Sequence, residues 1–75
     1  MPRITPQHYR VLLKLFEKAG FAVRRTSASH IVMNKAGIER PIVIPKYNEV
    51  DVEIIKANLR TAKMSREEYF KLLDE

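Results

Sequence analysis

The chain has 75 residues, of which 45% are hydrophobic and 31% are charged, with a formal net charge of +5 and no cysteine. This length allows one small domain, residues 1–75, with about 60% of its unfolded surface buried, so a wide enclosed pocket is not expected. The composition favours a folded chain over a disordered one, and the lack of cysteine excludes disulfides and thiolate metal sites. No apolar run reaches the roughly 18 residues of a membrane span. Together these features favour a cytoplasmic protein.

A helix is predicted near the start of the chain. Thr5 fits an N-cap and Pro6 the first helical position, where its missing N–H costs nothing. Apolar residues then recur every three or four positions, at Tyr9, Leu12, Leu13, Phe16 and Ala19. Gly20 supplies a left-handed stop. His8 is interpreted as a solvated side chain in the first turn.

Three strands are expected next, as an antiparallel meander. Residues 21–26 alternate like a half-buried strand and lead into small polar residues typical of a turn, so His30 should begin the returning strand. Because side chains alternate across a strand, Ile31 and Met33 share the core face and His30 lies on the other. The third strand is predicted over residues 40–45, and its flanking prolines favour either an edge position or the ends of the strand.

Two helices are predicted to complete the domain. From about Asp51 the apolar residues again have helical spacing, and Lys63 lies at the end, where the helix dipole favours a cation. Ser65 and Glu68 have the spacing of a capping box and begin a short last helix, whose apolar side is expected to fold back on the preceding helix or to meet a partner. The order predicts an α+β domain with the two longer helices on one sheet face and the other face open.

The open face of the sheet is expected to combine cations with exposed aliphatic side chains. Its expected members are Arg24, His30, Val32 and Val43. Residues 1–46 contain nine Lys and Arg against two Glu, a net charge of +7, whereas residues 47–75 have five against seven acidic residues, a net charge of −2. A positive field favours polyanions, nucleic acid first, although a solvated basic surface is also common at this charge.

His30 is the residue whose surroundings suit chemistry. Cleavage of RNA needs a group that takes the proton of the 2′-OH, a proton for the leaving oxygen and cations near the phosphate, and one imidazole among basic side chains is sufficient. Ser29 is a candidate hydrogen-bond support. The candidates for phosphate contacts are Arg24, Arg25, Lys35 and Lys46. From spacing alone, an ordinary surface histidine among solvated cations remains the alternative.

No metal or other cofactor is expected. The two histidines lie on different elements, and no acidic residues cluster on the strands, so no set of metal ligands can be assembled. The acidic residues of the second half suit the N-terminal turns of helices instead. The chain also has only two glycines, too few for a glycine loop that cradles phosphates.

The order and spacing of several segments resemble the HicA (YcfA-like) mRNA interferase toxins of bacterial and archaeal toxin–antitoxin pairs. These segments are Ala19-Gly20-Phe21, Ser29-His30, residues 39–44 and residues 62–69. The resemblance implies a double-stranded-RNA-binding-like fold, catalysis by His30, cleavage of mRNA without a metal, and neutralisation by a cognate HicB-type antitoxin. The family usually has glycine where this chain has Ala28, and often Gly-Thr where this chain has Glu53-Ile54.

The exposed aliphatic residues suggest where a partner binds. An antitoxin over the open face would bury Val32 and Val43 and would exclude RNA from His30 in the same contact. A cross-strand valine pair that costs little when exposed is the alternative. A non-catalytic RNA-binding or protein-interaction module of the same fold is the alternative function.

Overall fold

Three helices and a three-stranded sheet make up the described part of the chain. The computed structural model describes residues 3–75, so residues 1 and 2 of the expected domain lie outside it. The elements are α1 (Tyr9–Lys18), β1 (Ala22–Thr26), β2 (His30–Asn34), β3 (Ile42–Pro45), α2 (Val52–Ala62) and α3 (Arg66–Asp74). This order confirms the α+β class and the double-stranded-RNA-binding-like arrangement. Within residues 3–75, no helix is long and apolar enough to cross a bilayer.

The sheet has the order β1-β2-β3, with both pairs antiparallel. In the central strand β2, Ile31 and Met33 are buried and His30 is exposed, which confirms the predicted alternation. Strand β3 lies at an edge, as its prolines predicted, and begins at Ile42, two residues later than expected. Pro41 has no N–H to give to a ladder, so the pairing starts after it.

Strand β1 is the other edge of the sheet, and the prediction that it is half-buried is wrong. All five of its residues are exposed, whereas the buried Phe21 precedes the strand. The helices pack mainly on β3 at the opposite edge, so little covers β1. Its pairing with β2 shifts between Val23 and Arg25, and Arg24 is the extra residue of this bulge.

Helix α1 begins three residues later than predicted. Its N-cap is His8, whose Nδ1 accepts a hydrogen bond from the backbone N–H of Arg10 at 3.1 Å, and not Thr5. The cause is a tertiary contact. Gln7 and Val50 form an isolated antiparallel bridge, with backbone N–H to O distances of 3.3 and 2.7 Å, which keeps this part of the chain extended. His8 is therefore a half-buried cap, not a freely solvated side chain.

The other helix ends follow the local signals in the sequence. Gly20 has φ of 98°, in the left-handed region that favours glycine, and α1 stops before it. Lys63 ends α2 as a left-handed C-cap with φ of 55°, where the sequence indicated only a favourable charge. The hydroxyl of Ser65 accepts a hydrogen bond from the N–H of Glu68 at 3.1 Å, which confirms it as the N-cap of α3.

One core lies between the sheet and the helices. Its fully buried large side chains are Tyr69, Phe16, Leu12, Leu15, Met33, Ile42, Ile44, Ile55 and Val50. Helix α3 contributes Tyr69 by packing on α1, which differs from the expected contact with α2. The Nζ of Lys18 donates to the carbonyls of Leu72 and Glu75 at 3.4 and 2.8 Å and ties the end of α3 to α1. The core therefore covers one face of the sheet only.

Candidate catalytic site

A short turn, residues 27–29, joins β1 to β2 and positions His30. The backbone N–H of Ser27 donates to the carbonyl of His30 at 2.9 Å. The Ser27 hydroxyl oxygen accepts hydrogen bonds from the N–H groups of Ser29 and His30, at 3.3 and 3.1 Å. Such a hydroxyl-closed turn fixes the backbone from which the imidazole projects.

The turn needs no glycine at Ala28. Among residues 3–75, Lys63 is the only non-glycine residue with positive φ, so Ala28 has a backbone conformation that ordinary residues adopt. The closing interactions come from the Ser27 side chain instead. The backbone therefore accommodates Ala28 without strain, although the family that the sequence resembles usually has glycine there.

The imidazole of His30 is exposed and has one side-chain partner. Its Nδ1 lies 2.9 Å from Oγ of Ser29. A hydroxyl can accept from Nδ1–H or donate to a bare Nδ1, so the contact is compatible with either neutral tautomer. When Ser29 accepts, Nε2 carries the lone pair and is the nitrogen that can take a proton from a substrate.

Two adjoining depressions lie on the open face, and the first of them contains this histidine. The first has a volume of about 410 Å³ and is lined by Arg25, Ser27, His30, Val32 and Val43. The second has a volume of about 320 Å³ and is lined by Arg24, Arg25, Val32 and Pro41. No carboxylate is among these lining residues, so both depressions are cationic or apolar in character.

The register explains how these side chains come together. Val32 in the central strand pairs with Arg25 of β1 and with Val43 of β3, so the three side chains form a row across one face. His30 lies two residues earlier on the same face of β2. The expected open face with His30, Val32 and Val43 is thus present, and Val43 is 42% exposed.

The bulge in β1 places two arginines on this face. Strict alternation would direct Arg24 and Arg25 to opposite faces of the sheet. The extra residue breaks the alternation, and both side chains line the same depression with Val32. Two guanidinium groups therefore share the open face with His30, an arrangement that the alternating sequence pattern does not reveal.

The two candidate lysines lie elsewhere. The Nζ of Lys35 is 5.8 Å from the centroid of the Phe21 ring, beyond the end of β2 that is distant from His30. The backbone N–H of Lys46 donates to the carbonyl of Ser29 at 2.9 Å, so Lys46 lies near the turn that precedes His30. Its side chain, however, lines a groove between α1 and β1 on the helix-covered side of the sheet. The structure does not bring either lysine into the depression around His30.

Sequence reasoning missed the part that Ser27 plays. It treated the residue as one of several small polar residues in a turn, whereas its hydroxyl accepts hydrogen bonds from two backbone N–H groups in the hairpin that positions His30. A serine at the first position of a short hairpin turn is a signal that could have identified it.

The site is open and presents one base with cations on a flat surface. Within residues 3–75, no three His, Asp or Glu side chains are grouped so that they could hold a metal ion. An exposed imidazole can take a proton from a hydroxyl group next to a phosphate ester that lies across the sheet, and the arginines can bind the phosphate. This geometry suits a polymer better than a small molecule, which would need enclosure.

Comparison with known families identifies the family of the chain. A family model described as the HicA toxin of bacterial toxin-antitoxin matches residues 9–64, from the first residue of α1 to the segment between α2 and α3. The chain belongs to the HicA toxin family. The match includes the hairpin, both arginines and the valine pair of this HicA chain, and membership implies a cognate antitoxin as partner. No curated protein and no solved structure gives a significant match.

Proposed function

We propose that this HicA-family chain is the toxin of a toxin–antitoxin pair and cleaves mRNA in the cytoplasm, with His30 as the catalytic residue and no metal ion in the reaction. The observation that carries the proposal is an exposed imidazole, oriented through Nδ1 by Ser29, on a sheet face that also presents two arginines. Cleavage of this kind would inhibit translation and growth.

The reaction follows from the chemistry of RNA, which carries its own nucleophile. His30 Nε2 takes the proton of a 2′-OH, and the 2′-oxygen attacks the adjacent phosphorus. The bond between phosphorus and the 5′-oxygen breaks, and that oxygen takes a proton from water. The products are a 2′,3′-cyclic phosphate and a 5′-hydroxyl, and loss of the proton from the imidazolium restores His30.

The two arginines are proposed to stabilise the charge that develops on the phosphate. A guanidinium binds phosphate oxygens through two parallel hydrogen bonds and does not lose its charge at neutral pH. Arg25 lines the depression that contains His30, and Arg24 lines the adjoining one. We therefore assign Arg25 to the phosphate at the cleaved bond and Arg24 to a neighbouring phosphate.

The cognate antitoxin, proposed to be of the HicB type, is expected to cover this same face. Val32 and Val43 are paired across β2 and β3, and the exposed part of Val43 adjoins His30 in one depression. A partner that buries the valines also blocks the approach of RNA to the imidazole. Inhibition by such a partner is steric and requires no change in the conformation of the toxin.

Expression in growing cells tests the proposal. The wild-type chain should stop growth and deplete mRNA, whereas His30→Ala should do neither while the purified variant keeps the circular-dichroism spectrum of the wild type. His8→Asn is the matched control, because it removes the other histidine and keeps a side chain that can cap α1. Growth arrest and mRNA loss that persist in His30→Ala would refute the assignment.

A further inference from the structure

We propose that Tyr47 is a base-stacking residue that holds one unpaired base of the RNA beside the catalytic hairpin. The inference rests on the proposed function, since it concerns the same substrate. Tyr47 lies outside the strands, in the segment between β3 and α2. It adds to the site a contact to a base, where His30 and the arginines contact only the ribose and phosphate.

The backbone places Tyr47 near His30. Pro45 is the register partner of His30, and the N–H of Lys46 donates to the carbonyl of Ser29 at 2.9 Å. Tyr47 follows directly, so its Cα lies within about 13 Å of the Cα of His30. A side chain at this distance can reach the nucleotides that flank the cleaved bond.

The Tyr47 backbone is held on both sides while its ring is exposed. Its N–H donates to the carbonyl of Pro45 at 2.8 Å, and its own carbonyl accepts from the N–H of Tyr9 at 3.1 Å. The residue is nevertheless 53% exposed, more than any other large hydrophobic residue of the described chain. A ring on a fixed backbone loses little conformational freedom when a base stacks on it.

Aromatic and cationic residues neighbour Tyr47, and among them Tyr9, Arg10 and Lys46 line the groove on the helix-covered side of the sheet. The backbone N–H of Tyr9 donates to the Tyr47 carbonyl, and the guanidinium of Arg10 lies 5.8 Å from the centroid of the Tyr9 ring. Lys46 immediately precedes Tyr47. Aromatic rings that stack on bases, with cations near the backbone, are the general means of binding unpaired RNA.

The other exposed hydrophobic residues differ from Tyr47. These are Val11, Val23 and Val43, and none has an aromatic face on which a base can stack. Single exposed aliphatic residues are common on protein surfaces and need no ligand. Every base can stack on an aromatic ring, so the Tyr47 contact does not select a particular base. It selects an unpaired nucleotide over a paired one.

Binding of a fluorescent single-stranded RNA tests the inference. The His30→Ala protein is used throughout, so that the RNA stays intact while its dissociation constant is measured. Adding Tyr47→Ala should weaken binding by roughly 5- to 150-fold, the range found for loss of one stacked base, whereas Tyr47→Phe should keep the affinity. Val11→Ala, which removes another exposed hydrophobic side chain from α1, is the matched control.

A scan of abasic nucleotides along the RNA completes the test. With Tyr47 present, loss of the base at one position should weaken binding, and with Tyr47→Ala the same loss should have no further effect. An additive effect of the two changes would overturn stacking on that base. The experiment also includes cleavage by the His30-intact protein and by its Tyr47→Ala variant.

The outcomes separate this inference from the proposed function. If the wild type cleaves RNA and Tyr47→Ala binds and cleaves like the wild type, base stacking is overturned and the proposed function stands. If the wild type neither binds nor cleaves RNA, the proposed function fails and the inference about Tyr47 fails with it. If Tyr47→Ala weakens antitoxin binding and leaves RNA affinity unchanged, Tyr47 belongs to a protein interface and the inference is overturned.

Discussion

The Oγ atom of Ser29 lies 2.9 Å from Nδ1 of His30, and both residues belong to the turn that Ser27 closes. A hydrogen bond at Nδ1 controls which ring nitrogen remains available to a substrate and limits rotation of the ring. Ser29 therefore positions the imidazole of the proposed catalytic residue, His30, and in the proposed mechanism it touches no reacting atom.

Removing this hydroxyl should slow the reaction. For Ser29→Ala we expect kcat to fall by roughly 2- to 13-fold, corresponding to the loss of one hydrogen bond of about 0.5–1.5 kcal/mol, with little change in KM. Ser29→Thr, which keeps the hydroxyl, should retain most of the rate. Steady-state kinetics on one RNA gives both values, and an unchanged kcat in Ser29→Ala would show that the ring needs no such support.

The arginines of the bulged strand should make RNA binding sensitive to salt. Each phosphate contact contributes roughly −0.7 to the slope of log affinity against log salt for single strands. Arg25→Ala should therefore reduce the steepness of the slope by about that amount in a His30→Ala background. Lys71→Ala on α3 changes the net charge equally and is the control. Equal slopes for the His30→Ala protein with and without Arg25→Ala would exclude a phosphate contact.

Val32 and Val43 should be needed for binding of the antitoxin that neutralises the toxin. In the variant with Asp at both Val32 and Val43, binding of the antitoxin would remove two carboxylates from water. We therefore expect antitoxin affinity to fall by at least about tenfold. Val11→Asp, at an exposed position of α1, should leave it unchanged. Titration calorimetry measures the affinities, and circular dichroism checks that the double variant is folded. Wild-type affinity in that variant would place the interface elsewhere.

Local signals in the sequence predicted most of the fold. The stop at Gly20, the cap at Ser65 and the start of β2 at His30 depend on neighbours along the chain, and the structure has all three. The start of α1 could not be predicted in this way. It depends on the bridge between Gln7 and Val50, which joins distant parts of the chain and overrides the capping preference of Thr5.

The candidate site could be predicted only in part for the same kind of reason. Alternation along β2 correctly separated His30 from Ile31. The bulge that brings Arg24 beside Arg25 depends on pairing with β2 and leaves no mark in the alternating pattern. The exposure of β1 depends on helices that pack mainly on β3, which periodicity within one strand does not reveal.

The buried hydroxyl of Tyr69 should reduce stability. The ring is fully buried, and the hydroxyl has no hydrogen-bond partner within residues 3–75. A buried polar group without a partner costs about 1–3 kcal/mol, so Tyr69→Phe should raise the free energy of unfolding by about 1 kcal/mol. Chemical denaturation measures the change. A decrease of similar size would show that the hydroxyl makes a stabilising hydrogen bond.

The same residue should make stability depend on alkaline pH. Burial raises the pKa of the Tyr69 phenol above its ordinary value of 10.0, because desolvation disfavours the charged form. The folded state thus prefers the neutral phenol. The stability that the folded state owes to the neutral phenol is fully present below pH 10 and is lost as the pH rises through the folded-state pKa of Tyr69. Above pH 10 the wild type should lose stability faster than Tyr69→Phe, and parallel curves for the two proteins would contradict this.

The role of His30 is tested most directly by the initial rate at which purified protein cleaves one RNA oligonucleotide in the presence of EDTA. The wild type should cleave it to a 2′,3′-cyclic phosphate and a 5′-hydroxyl, and a single 2′-deoxy nucleotide at the cleaved position should block the reaction. His30→Ala should be slower by about 10²- to 10⁴-fold, the usual contribution of a general base. A rate in His30→Ala equal to that of the wild type, or cleavage of the 2′-deoxy substrate, would contradict the proposed mechanism.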